Sequence, residues 1–173
     1  ICFVNKMDRV GASFQRTMDS IKQRLGANPV PVQLPIGAES DFIGVADLFS
    51  GTAHFFPNEN SSNGSAATYE ATEGPIPPEY QKEFRTYRES LIEKIVETDE
   101  NLMIRYLEGD HIDSEELREA LRKATISLKA VPVLCGSALR TKGVGPLLDA
   151  IIDYLPSPLD IPPVKGVVSD EEG

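Results

Sequence analysis

Two strand-and-helix patterns bracket this chain. Ile1-Cys2-Phe3-Val4 is an unbroken apolar run, as expected of a strand covered on both faces. After a polar loop, Phe14, Met18, Ile21 and Leu25 recur at helical spacing. Ser13 stands where an N-cap belongs, although the residue three further on is Arg16, so the full capping box is absent. Gly26 and then Pro29 stop the helix. A matching unit lies far downstream. Val131-Pro132-Val133-Leu134-Cys135 predicts a strand, Gly136-Ser137-Ala138-Leu139 a tight loop, and Val144, Leu147, Leu148, Ile151 and Leu155 a helix ended by Pro156. Pro132 has no N–H to give to a ladder, which predicts an edge strand.

Between the two units, residues 27–128 read as an insertion. Val30, Val32, Leu34 and Ile36 alternate as in a strand, and further strand-like pieces follow at 42–49, 53–56 and 67–72. Residues 57–66 have the composition of a polar loop or hairpin tip. Helical periodicity then takes over. Tyr80, Phe84, Tyr87, Leu91 and Ile95 share one face of a helix over roughly 78–97, and a short helix follows Asp99. A third covers 114–128 with Leu117, Leu121, Ala124 and Leu128, its start marked by Asp113 and Glu116. Strands first and helices afterwards predict an α+β subdomain. The fold class is α/β: a partial parallel sheet of two strands plus helices, formed by 1–26 and 129–158, carrying an inserted α+β subdomain over 27–128. Four prolines in 156–164 make 159–173 a linker towards a further domain.

Charge and composition narrow the partners. The 173 residues carry a net charge of −10. Residues 67–121 hold 15 acids against six bases, a net of −9, while the rest is close to neutral. So acidic a segment does not hold nucleic-acid phosphates by itself; it reads as a solvated face or a dock for a protein partner. No apolar run approaches the length needed to span a bilayer, and no signal-type start is seen. Cys2 and Cys135 sit in strand runs and read as free core thiols of a reducing compartment. No metal-ligand cluster is apparent.

The chemistry lies in the two loops that follow the apolar strands. If those strands are parallel neighbours, both loops emerge at one edge of the sheet, where open α/β folds bind ligands. Asn5-Lys6-Met7-Asp8 supplies what a guanine ring needs. The Asp8 carboxylate accepts two hydrogen bonds at once, from ring N1–H and the exocyclic amine. Adenine offers no such donor pair and would leave the charge unpaired. Asn5 bridges the ring's far edge and nearby backbone, and the aliphatic stem of Lys6 covers the ring's face. Ser137-Ala138-Leu139 forms the second wall, where a small residue at 138 lets backbone N–H approach the guanine oxygen.

Asn5-Lys6-x-Asp8 and Ser137-Ala138 match the two guanine motifs of the Ras-like GTPase superfamily. More narrowly, NKMDRVGASF, RLGANPVPVQLPIGAE, YLEGD, GSALRTKGV and DYLPSPLDIPP resemble the elongation factor G family, over essentially the whole chain. The resemblance implies a partial Ras-like sheet and GTP or GDP as ligand. It implies a parent that hydrolyses GTP with magnesium while moving tRNA and mRNA on the ribosome, in the cytoplasm or in a mitochondrial or plastid matrix. It also implies that Glu93, Glu97 and Glu100, in SLIEKIVETDENL, contact the ribosomal stalk protein, sharing a stripe if one helix runs through all three.

The phosphate-binding half is missing from the sequence. G-x-x-x-x-G-K-[ST] does not occur, nor any Gly-Lys dipeptide. Three D-x-x-G matches, Asp8–Gly11, Asp41–Gly44 and Asp170–Gly173, fall at or after the guanine motif, whereas the family's functional copy precedes it. The chain is therefore expected to be a fragment that does not hydrolyse GTP, binds nucleotide weakly or not at all, and either tends to associate through the unpaired edge of strand 1–4 or has residues 1–4 disordered. The competing expectation is a protein-interaction module that docks the stalk protein and binds no nucleotide.

Overall fold

The computed structural model describes residues 1–57 and 71–160. Its seven strands are β1 (Cys2–Val4), β2 (Pro29–Pro31), β3 (Gln33–Ile36), β4 (Gly44–Asp47), β5 (Thr52–Phe55), β6 (Thr72–Pro75) and β7 (Val131–Cys135). Its five α-helices are α1 (Phe14–Leu25), α2 (Gln81–Val96), α3 (Glu100–Glu108), α4 (Ser114–Ile126) and α5 (Val144–Tyr154). Short 3-10 turns cover Glu39–Asp41, Pro78–Tyr80 and Ala138–Arg140.

The mixed α/β class holds, with three parallel strands where the sequence suggested two. The order is β1-β7-β2, with Cys2 opposite Val133 and Pro29 opposite Val131. The edge assignment of 131–135 is wrong: β7 is central. Pro132 is tolerated there because of where its nitrogen points. Odd residues of β7 bond to β2, as in Val131 N–H to Asn28 O at 2.9 Å and Val32 N–H to Val133 O at 3.0 Å. Even positions face β1, which Gly136 N–H reaches at Val4 O (3.0 Å). Pro132 lies opposite Ile1, before β1's first residue, so no described ladder bond is lost there. Among the described residues, the other side of β1 pairs with no strand.

The alternation from Val30 to Ile36 conceals a change of sheet. β2 belongs to the parallel sheet, and β3 opens an antiparallel meander, β3-β4-β5-β6. Val32 is the joint: its N–H bonds to β7, and its carbonyl accepts from Leu48 N–H at 3.0 Å. The expected strand at 67–72 appears later, over Thr72–Pro75. Residues 67–70, most of the polar loop and most of the linker lie outside the described residues.

One apolar core runs through both sheets and under α1, α2 and α4. Leu91 and Ile95 seat α2, and burial of each contributes about 2–3 kcal/mol. Ser13 Oγ accepts from Arg16 N–H at 3.3 Å, and Gly26 ends α1 in the left-handed conformation. Asp113 and Glu116 form a complete capping box, and Glu116 also pairs with Arg105 at 2.6 Å. Two apolar stripes were overextended. Leu128 lies beyond α4 at φ +61 and is exposed. In α5 the buried residues are Ala150 and Tyr154, whereas Leu148 and Ile151 face outward with Ile152. No described helix is long and apolar enough to cross a membrane.

Candidate functional site

Because β1 and β7 are parallel neighbours, the loops after Val4 and Cys135 leave the same edge of the sheet. Their backbones are stitched together at once. Gly136 N–H donates to Val4 O, and Met7 N–H donates back to Gly136 O, each at 3.0 Å. The approach is so close that a Cβ on residue 136 would sit 2.3 Å from Lys142 O and 2.5 Å from the Phe3 ring, so only glycine fits.

Asn5 ties the loops a second time. Its Oδ1 accepts from Lys6 N–H at 2.8 Å and from Ala138 N–H at 3.0 Å. The motif predicts a guanine oxygen as the acceptor of the Ala138 N–H, whereas here that N–H donates to Asn5. Leu139 carries the next backbone N–H, in the first turn of a 3-10 segment where amides lack partners within the turn. Lys6 is exposed and held at φ +64, a conformation that costs a non-glycine residue about 1 kcal/mol.

Asp8 is the electrostatic centre of the edge. Its side chain is 15% exposed and lies 3.9 Å from Arg140 Nε through Oδ2. The Ser137 hydroxyl, itself buried, donates to the carboxylate. This hydrogen bond, against the opposing effect of burial, is the largest cause holding the Asp8 carboxyl below its ordinary 3.8; Arg9 and Arg140 assist. A depressed folded value means that the carboxylate's stabilising contacts are intact above pH 3.8 and fade as pH falls through the lower folded value. Oδ1 is buried and accepts no hydrogen bond from any described residue. An ionised, shielded acceptor of this kind is costly unless a donor meets it.

The structure thus gathers Asn5, Lys6, Asp8, Ser137, Ala138 and Leu139 on one edge. Glu93, Glu97 and Glu100 are exposed but not on one helix. α2 ends at Val96, Glu97 is its C-cap, and Glu100 opens α3 after a turn capped by Asp99. Sequence reading missed Glu39 and Lys142, which tie these two loops to the segment between β3 and β4. Glu39 Oε1 accepts from Gly11 N–H at 2.7 Å, and Lys142 Nζ donates to Phe42 O at 2.9 Å. Their partners are 28 and 100 residues away, so no local pattern announces them. Among the described residues, no group of three or more His, Cys, Asp or Glu is placed to hold a metal ion.

Two cross-tied loops at the carboxyl edge of a parallel sheet place the chain among open α/β domains, the class that binds ligands at that edge. Comparison with known proteins then makes the assignment specific. Residues 1–157 match the elongation factor Tu GTP binding domain, and the chain belongs to that family. It is 53% identical to elongation factor G of Thermotoga maritima, over 99% of this chain and 24% of that protein. With elongation factor G of Thermotoga neapolitana the identity is 51%, over 96% of this chain and 23% of that protein. The crystal structure of ttk003000868 from Thermus thermophilus superposes with a TM-score of 0.77 at 32% identity, over 91% of this chain and 22% of that one. The resemblance read from the motifs is borne out. The chain spans about a quarter of the length of the curated relatives it matches.

Proposed function

We propose that this chain is the guanine-recognising part, with the inserted subdomain, of a longer translational GTPase of the elongation factor G type, one that promotes movement of tRNA and mRNA on the ribosome. The observation that carries the reading is Asp8 Oδ1, a buried carboxylate oxygen without a donor among the described residues, on the edge where Asn5 joins the two loops. Guanine N1–H and its exocyclic amine are the adjacent donor pair that a carboxylate accepts together. The Leu139 N–H serves the guanine oxygen, and the stem of exposed Lys6 covers one face of the ring. Magnesium and the triphosphate fall to residues outside these 173, because no phosphate-loop sequence occurs among them. The side of β1 that pairs with no described strand and the exposed Leu148, Ile151 and Ile152 are surfaces that the remainder of such a domain would cover.

The test is a titration of the chain with GDP and with ADP. Weak binding is expected, since most of the phosphate contacts are missing, but GDP should be preferred by about tenfold or more. Equal affinity for the two would overturn the reading.

A second reading concerns Glu93, Glu97 and Glu100, as contacts for the ribosomal stalk protein. None of the three forms an ion pair among the described residues, and all are exposed. Glu93 and Glu97 also sit at the C-terminal end of α2, where negative charge opposes the helix dipole. At these two positions an acid at an unfavourable helix end fits a docking role better than a stabilising one, whereas Glu100 stands in the first turn of α3, where an acid is favourable. Replacing Glu93 and Glu97 with lysine should leave the melting temperature unchanged or slightly raised, whereas Glu100→Lys puts a cation in the first turn of α3 and should lower it slightly; the three together should weaken stalk-protein binding and its salt dependence. Unchanged affinity would return them to the role of solvated surface.

A further inference from the structure

Residues 37–42, between β3 and β4, lie in neither loop of the candidate site, yet they bond to both. Glu39 N–H donates to Met7 O at 2.9 Å, immediately before Asp8. Its side chain reaches past Asp8, where Oε1 accepts from Gly11 N–H at 2.7 Å. One residue therefore grips the chain on both sides of the base-reading carboxylate. Arg16 Nη2 adds a bond to Gly11 O, which helps fix the far end of the same loop. On the other side, Lys142 Nζ donates to Phe42 O, and Lys142 is paired through its backbone with Ser137 at 2.9 and 3.0 Å.

The grip is held under strain. Glu39 adopts φ +55, a left-handed conformation that a residue with a long side chain rarely occupies. Gly37 precedes it at φ +78, where a Cβ would lie 1.7 Å from Asp41 O. Gly37 N–H also donates to Tyr80 OH at 2.9 Å, which anchors the segment to the entry of α2. A strained residue that is fixed from several sides and touches the backbone flanking Asp8 suits a role in setting that side chain's position.

We propose that Glu39 is a positioning residue for guanine recognition, setting the height of Asp8 against the base by bonding to Met7 and Gly11; the proposal rests on the guanine reading of the edge. Its carboxylate does not touch the nucleotide. Its effect should appear in discrimination by Asp8, and IDP reports on this because it lacks the exocyclic amine that Asp8 accepts in GDP.

The experiment is a titration of isotopically labelled chain with GDP and with IDP, followed by NMR, which resolves weak binding. Wild type should prefer GDP. In Glu39→Ala the GDP-to-IDP preference should narrow by about three- to tenfold. Glu39→Gln should keep the preference within about twofold, because its amide oxygen still accepts from Gly11. Asn is at ease in the left-handed region but too short to reach Gly11, so Glu39→Asn should behave as Glu39→Ala does and decides the matter if the alanine variant does not fold. A preference that disappears in Asp8→Asn yet survives in the folded Ala or Asn variants overturns the role of Glu39 alone. A wild-type chain with no preference for GDP over IDP overturns the guanine reading and this proposal with it.

Discussion

Asp8→Asn should exchange the base preference of this chain from guanine to xanthine. The carboxylate presents two acceptors, and one of them, Oδ1, is buried and meets no donor among the described residues. Asparagine keeps one acceptor and turns the other into an NH2 group, which meets the exocyclic amine of guanine donor to donor. Losing one charge-assisted hydrogen bond and leaving a buried donor unpaired together amount to about 3 kcal/mol, or about a hundredfold in affinity. Xanthine carries a carbonyl where guanine carries the amine, so the amide side chain matches it. Titration of the variant with GDP and XDP should show XDP bound more tightly. A variant that still prefers GDP would mean that the base is read elsewhere. The fold should survive, since the carboxamide can still accept from the buried Ser137 hydroxyl.

The largest loss of stability is expected from Phe42→Ala. Phe42 is fully buried, its ring centroid lies 5.5 Å from that of Phe56, and Lys142 Nζ sits 5.9 Å above its face. Truncation removes a large apolar side chain and leaves a cavity beside the antiparallel sheet, at a cost of about 3–5 kcal/mol. That is a large share of the roughly 5–15 kcal/mol by which a typical domain is stable. Urea unfolding should therefore show a much lower midpoint. Leu159→Ala, at a residue 96% exposed, should shift stability by no more than about 0.5 kcal/mol. A Phe42→Ala loss below about 1 kcal/mol would show that this part of the core can close around the gap. The same substitution leaves the Phe42 carbonyl in place for Lys142, so its effect on stability should exceed its effect on nucleotide preference.

How much of this was legible in the sequence depended on the range of the interactions. β1, α1 and β7 were readable because an unbroken apolar run, a helical stripe and a glycine stop are local signals. The placing of the two loops of the candidate site was readable for the same reason, each being short and directly after a strand. The passage from β2 to β3 was not, because Val30, Val32, Leu34 and Ile36 alternate without interruption while the chain changes sheets at Val32. That change is enforced by β7 on one side and Leu48 on the other, both distant in sequence. Pro132 misled for a related reason. A missing N–H argues for an edge only when a partner carbonyl faces it, and here the register places Pro132 before β1's first residue. The outward stripe of α5 looks like a core face in the sequence because its apolar spacing does not say which residues find cover. The stitching of the site by Asn5 and Glu39 involves bonds across 133 and 28 residues, beyond any periodicity.

The central proposal, that two loops read one base together, is tested most directly by an NMR titration of the labelled chain with GDP that follows every backbone amide. The expected result is a set of shifts at Asn5, Lys6 and Asp8 and at Ser137, Ala138 and Leu139 that saturate at one common concentration and are absent with ADP. Shifts confined to one loop, located elsewhere, or reproduced by ADP would contradict it.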